Sequence, residues 1–86
     1  MKEYFEKLQK YLGDNNFNGE CNWMNSLFYV DIKWGDWKHD HWRCDYLVGE
    51  FAKENNRKIL LQKTNITEED GSDCYSATHF YIFERT

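Results

Sequence analysis

Apolar side chains recur at helical spacing from the start of the chain. Tyr4, Phe5, Leu8, Tyr11 and Leu12 fall on one stripe of residues 2 to 12, which predicts an amphipathic first helix. Gly13 follows at a place where helices commonly end on a residue with positive φ, and it supplies the expected stop. The next residues, DNNFNGECNW, are rich in Asn and Gly and read as a loop that leads into a short strand over Glu20 to Met24. From Leu27 to Trp34 the period changes to two. Phe28, Val30, Ile32 and Trp34 share one face and Leu27, Tyr29, Asp31 and Lys33 the other, as in a strand with one buried side. If Asp36 then caps a helix, Trp37, His41, Cys44, Val48 and Phe51 recur at spacings of four and three, with Leu47 widening the stripe. A start at Asp40 is the alternative, and either helix stops near Asn55-Asn56. Gly49 inside it costs about 1 kcal/mol relative to Ala, which predicts the close approach of a neighbouring backbone. Two further strands, around Lys58 to Ile66 and Cys74 to Glu84, are joined through Glu68 to Asp73, where Asp70-Gly71 is a hairpin-turn signal.

This order predicts a small two-layer α+β domain, an antiparallel sheet of three to four strands with two helices mainly on one face. The chain has no Pro, no low-complexity linker and no repeat, so residues 1 to 86 form one domain. Phe5, Leu8, Leu12, Phe28, Val30, Ile32, Leu47, Val48 and Phe51 are the expected core. The last strand is apolar on both sides, with Phe80 and Ile82 on one and Tyr75, Ala77, Tyr81 and Phe83 on the other. The second set, with Leu27 and Tyr29, is assigned to the outer face. A sheet with two apolar faces needs a second cover. Residues 13 to 26, with Phe17, Trp23 and Met24, a second copy of the chain, or a partner protein would each provide it.

Composition narrows the function classes. A chain of 86 residues buries only about 60–65 % of its unfolded surface, so stability rests on a few large side chains. The 19 % aromatic content supplies them. A formal charge of −4, with Lys and Arg spread along the chain, argues against a nucleic-acid groove. Cys21, Cys44 and Cys74 are too few and oddly numbered for a disulfide framework. No apolar run approaches the length of a membrane span, and the amphipathic N-terminus does not read as a signal peptide. The expectation is a cytoplasmic protein with reduced thiols, for which the Asn65-Ile66-Thr67 sequon is irrelevant.

Chemistry concentrates between Trp34 and Asp45, in WGDWKHDHWRCD. His39-Asp40-His41 suggests a metal, since imidazole and carboxylate suit zinc. On a helix, however, residues two apart diverge, so the better set is His41 with Cys44 or Asp45, joined by His79, Cys21 or Cys74. None of this matches a known metal motif, and the reading of the residues is that no cofactor is bound. Asp31-Ile32-Lys33 resembles the acid-x-Lys element of a nuclease superfamily, for which Glu20 is the only convenient upstream acid. Cysteine-nucleophile readings that pair Cys44 or Cys74 with His79 have no local motif in support. Core packing is expected for Trp34 and Trp37. Trp42 falls off the apolar stripe and, with Arg43 beside it, is the candidate exposed anchor, since such residue types dominate interface energetics.

Two stretches, WGDWKHDH at Trp34 to His41 and TEEDGSDCYSATH at Thr67 to His79, resemble those of small acidic proteins encoded by phages and mobile elements of Gram-positive bacteria. The resemblance covers about a quarter of the chain, and no functional residue carries over from it. It implies a compact inhibitor that binds a host protein, of a defence system such as CRISPR or of a regulatory system. The expected function is therefore a cytoplasmic protein-binding module acting through an acidic and aromatic surface. Its expected contact residues are Tyr29, Trp42, Arg43, Tyr81 and Phe83, with Glu68, Glu69, Asp70 and Asp73 at the rim. The partner is a host protein or a second copy of the chain, with no role for membrane or nucleic acid. The alternative is a small metal-dependent enzyme or metal-binding protein built on His39, His41 and His79.

Overall fold

The computed structural model describes residues 1–85. Helix α1, Lys2–Asp14, buries Phe5, Leu8 and Leu12. Gly13 lies inside the helix and does not end it. The chain turns instead at Asn16, whose φ is 59°, a conformation that Asn tolerates better than most residues. Strand β1, Glu20–Met24, and strand β2, Leu27–Asp36, form a tight hairpin. A π-helical turn, Trp37–Trp42, leads into helix α2, Arg43–Glu54, which ends at Asn55. Strands β3, Ile59–Glu69, and β4, Cys74–Phe83, form the second hairpin. The four strands make one antiparallel sheet in the order β1-β2-β4-β3, an α+β fold.

The hydrophobic pattern locates the core well, and all nine residues expected there are buried. Both helices contribute buried side chains to one hydrophobic cluster with the sheet. The Phe5 ring lies 5.3 Å from that of Phe28 and 5.5 Å from that of Phe83, while Cys44 meets Tyr81.

The last strand faces the other way from its expected assignment. Phe28 stands opposite Tyr81, Val30 opposite His79 and Ile32 opposite Ala77, so these pairs share the buried face. Tyr81 is 0 % and Phe83 1 % exposed, which removes both from the expected contact surface. Leu27 and Tyr29 pair instead with Ile82 and Phe80 on the opposite face, where all four are half-buried. A strand apolar at both parities does not specify which parity faces the core, and a shift of one residue exchanges them all. Trp23 also lies on the core side, its ring 6.2 Å from those of Phe5 and Phe28, and Phe17 is buried with it. Neither covers the opposite face.

The junction after β2 is irregular. The pairing of β2 with β4 shifts between Ile32 and Gly35, and Trp34 takes a φ of 53° there, a strained conformation for a bulky residue. A Cβ at Gly35 would stand 2.5 Å from Ile32 Cγ2, so the backbone passes too close for any side chain. Asp36 then caps the turn as its position predicts. Its carboxylate accepts from the backbone N–H groups of Lys38 at 2.7 Å and His39 at 3.0 Å, and these bonds, His39's foremost, hold its pKa below the ordinary value. Because the first turn is π-helical, the helical stripe loses phase before α2 begins. Trp37 consequently falls outside the core while His41, Cys44, Val48 and Phe51 remain in it. Trp34 and Trp37, expected to be packed, are 49 % and 52 % exposed.

Candidate functional site

Two features stand out: a polar network around a buried histidine pair and an exposed aromatic junction. The network joins the π-helical turn, α2 and both strands of the second hairpin. His41 and His79 are 2 % and 1 % exposed, and His41 Nδ1 lies 2.8 Å from His79 Nε2. The other end of each ring is also occupied. His41 Nε2 is 2.9 Å from the Tyr75 carbonyl oxygen and His79 Nδ1 is 3.1 Å from the Thr64 hydroxyl.

The proton positions follow from the partners. A carbonyl only accepts, so His41 Nε2 carries a hydrogen and, in the neutral ring, Nδ1 accepts. His79 Nε2–H must therefore donate to it, and His79 Nδ1 accepts from the Thr64 hydroxyl. The Asp45 carboxylate, 3.7 Å from His79 Nδ1, accepts from the Tyr81 hydroxyl, which leaves the Cys44 thiol to donate to the Tyr81 oxygen at 3.3 Å. The Tyr75 ring stacks on His41 with centroids 3.9 Å apart. Burial lowers the His79 pKa, opposed by the Asp45 charge and aided by His41. Burial likewise pushes the Cys44 thiol up to about 12, so it is a poor nucleophile at neutral pH.

These distances do not suit a metal. Nitrogens bound to zinc at about 2.1 Å stand about 3.4 Å apart across a tetrahedral angle, whereas the two ring nitrogens here are 2.8 Å apart and share a proton. Among the described residues no group of three or more His, Cys, Asp and Glu is placed to hold an ion. His39 is exposed, away from the pair, and Cys44 is spent on Tyr81. The strand pairing does set Glu20 directly opposite Asp31, but Asp31 accepts from the Thr78 hydroxyl.

The exposed junction holds the other chemistry. Trp42 is 56 % exposed, as expected of an anchor, and its ring stacks on that of Tyr46 at 5.5 Å. Trp34 and Trp37 precede it within the same segment. Arg43 is half-buried and donates from Nη2 to the Asn15 carbonyl, so it ties α2 to the end of α1 and is not free to act as an anchor. The acidic turn is adjacent: the Trp37 N–H meets the Asp73 carbonyl at 3.3 Å, and Asp36 pairs with Cys74. Glu68, Glu69, Asp70 and Asp73 are exposed there. Asp70 is held by the Ser72 hydroxyl and N–H, which lower its pKa. Tyr29 lies apart from this group, beside Phe80. The sequence signalled the junction by its density of tryptophan, but the strained Trp34 and the exposure of Trp37 depend on a bulge and a π-turn that no residue pattern announces. Comparison with known proteins finds no matching family model, no matching curated protein and no matching solved structure.

Proposed function

We propose that this chain is a protein-binding module, and that its contact surface is the tryptophan junction together with the acidic turn beside it. One observation carries the reading: Trp34, Trp37 and Trp42, each about half exposed, lie within a single bulge and π-turn. Exposed tryptophan is costly in water and is the residue type most enriched among the few that dominate binding energy. A strained backbone at Trp34 adds to this, because such strain persists where the surroundings hold it for a purpose. The exposed acids at Glu68, Glu69, Asp70 and Asp73 favour a partner with a basic surface, whose approach they would steer. With the resemblance to phage and mobile-element proteins, the reading becomes a cytoplasmic inhibitor of a host defence or regulatory protein.

Capture from a Gram-positive lysate with the parent and with Trp37→Ala and Trp42→Ala tests this. Both substitutions remove exposed side chains, so both variants should fold as the parent does. A protein captured by the parent should be lost from the variants and its binding should weaken with salt. Equal capture by all three, or no specific capture, rejects the reading. A second copy of the chain over Leu27, Tyr29, Phe80 and Ile82 is the competing occupant of the opposite sheet face. Its signature is a concentration-dependent dimer in sedimentation that Phe80→Asp abolishes.

A further inference from the structure

At the other end of β2 from the tryptophan junction, a cleft of about 960 Å³ opens beside the start of α1. Lys2, Lys7, Arg57 and Arg85 line it, against Glu3 as the one carboxylate among the described residues. That is an uneven distribution for a chain of formal charge −4. Among the described residues none of these four cations makes a salt bridge. Helix α1 begins here with no side-chain cap, so its free N–H groups and positive dipole end add to the same field.

Arg57 is built into the fold, unlike a surface lysine. Its Nη1 donates to the Glu84 carbonyl at 3.1 Å, and its guanidinium sits 4.5 Å from the centroid of the Tyr4 ring. Its Nε and the Tyr4 hydroxyl oxygen are both buried without a hydrogen-bond partner. Four like charges drawn together, one of them partly desolvated, oppose one another unless an anion lies between them. Several cations around one opening suit a multivalent oxyanion better than a single carboxylate. The Trp23 ring and the amides of Asn25 and Asn55 complete the lining, and a cleft of this size suits a small molecule. We propose that this cleft binds a phosphate-bearing small molecule.

Titration calorimetry with inorganic pyrophosphate and with inorganic phosphate, at an ionic strength fixed by chloride, tests the proposal. Pyrophosphate should bind with one site per chain, tighter than phosphate, and should raise the melting temperature where added chloride does not. Lys2 and Lys7 are exposed, so Lys2→Gln/Lys7→Gln should melt as the parent does while losing about tenfold in pyrophosphate affinity. Arg57→Gln should lose more. No binding of pyrophosphate in the millimolar range, unchanged affinity in the double lysine variant, or binding of a polyglutamate peptide without binding of pyrophosphate would each overturn it.

Discussion

His41 and His79, 38 residues apart in sequence, share one proton between Nδ1 and Nε2 at 2.8 Å, with both rings buried. The Tyr75 carbonyl orients the first ring and the Thr64 hydroxyl the second. The pair thus fastens the π-helical turn to both strands of the second hairpin, and the neutral form of both rings satisfies every partner. An added proton has one place to go, His79 Nδ1, where Asp45 is, among the described residues, the one facing carboxylate within 4 Å.

Stability should therefore depend on pH. The folded state lowers the His79 pKa below its ordinary 6.5, so below that pH the unfolded chain binds a proton that the folded one refuses. The contribution is fully present above about pH 6.5 and is lost as pH falls from there toward the folded pKa. Tyr75, which stacks on His41, and Tyr81 and Cys44, which join the network through Asp45, stay neutral throughout this range. Denaturant midpoints measured from about pH 7.5 to about pH 5 should fall in the parent, and His79→Gln should flatten the curve. A parent curve as flat as the variant's would show that His79 titrates alike in both states.

Tyr81 separates packing from hydrogen bonding. Tyr81→Phe keeps the ring and removes the hydroxyl that donates to Asp45, which should cost about 1–3 kcal/mol in a urea melt. Tyr81→Asp places a charge where the side chain is 0 % exposed and should abolish folding. A folded Tyr81→Asp chain by circular dichroism would mean that the strand can present its other face.

Two glycines should respond with opposite signs. A Cβ at Gly49 meets nothing within 4 Å, so no neighbouring backbone accounts for the glycine, and Gly49→Ala should stabilise α2 by about 0.8–1 kcal/mol. A Cβ at Gly19 would stand 2.4 Å from Val30 Cγ1 and 2.5 Å from Phe17 Cε2, both in the core. Gly19→Ala should destabilise by about 1–3 kcal/mol. Melting of both variants beside the parent decides the two signs.

Thiol labelling should report unfolding. Cys44 is fully buried with its pKa near 12, so an alkylating reagent at neutral pH should modify it only when the chain opens. Mass spectrometry over a denaturant series should show Cys44 labelled along the unfolding transition. Rapid labelling under native conditions would contradict the closed site.

The sequence by itself determined the elements and most of the core. The periodicity of Phe5, Leu8 and Leu12 and of Leu47, Val48 and Phe51 has one solution each, because polar residues fill most of the remaining helix surface, and in β2 the charges of Asp31 and Lys33 on the other face leave Phe28, Val30 and Ile32 to point inward. Cys74 to Phe83 offered two solutions, with Phe80 and Ile82 at one parity and Tyr81 and Phe83 at the other. Only pairing with β2 chose between them, since Phe28 already pointed inward and stands opposite Tyr81. That choice moved Tyr81 and Phe83 from the expected contact surface into the core. His41 and His79 were visible as separate candidates, but their union depends on a hairpin folding back against the π-turn, a relationship between segments that local pattern does not encode. The exposure of Trp34 and Trp37 was decided in the same way: one extra residue in a strand and one widened helical turn rotate side chains out of a stripe that regular geometry would have buried.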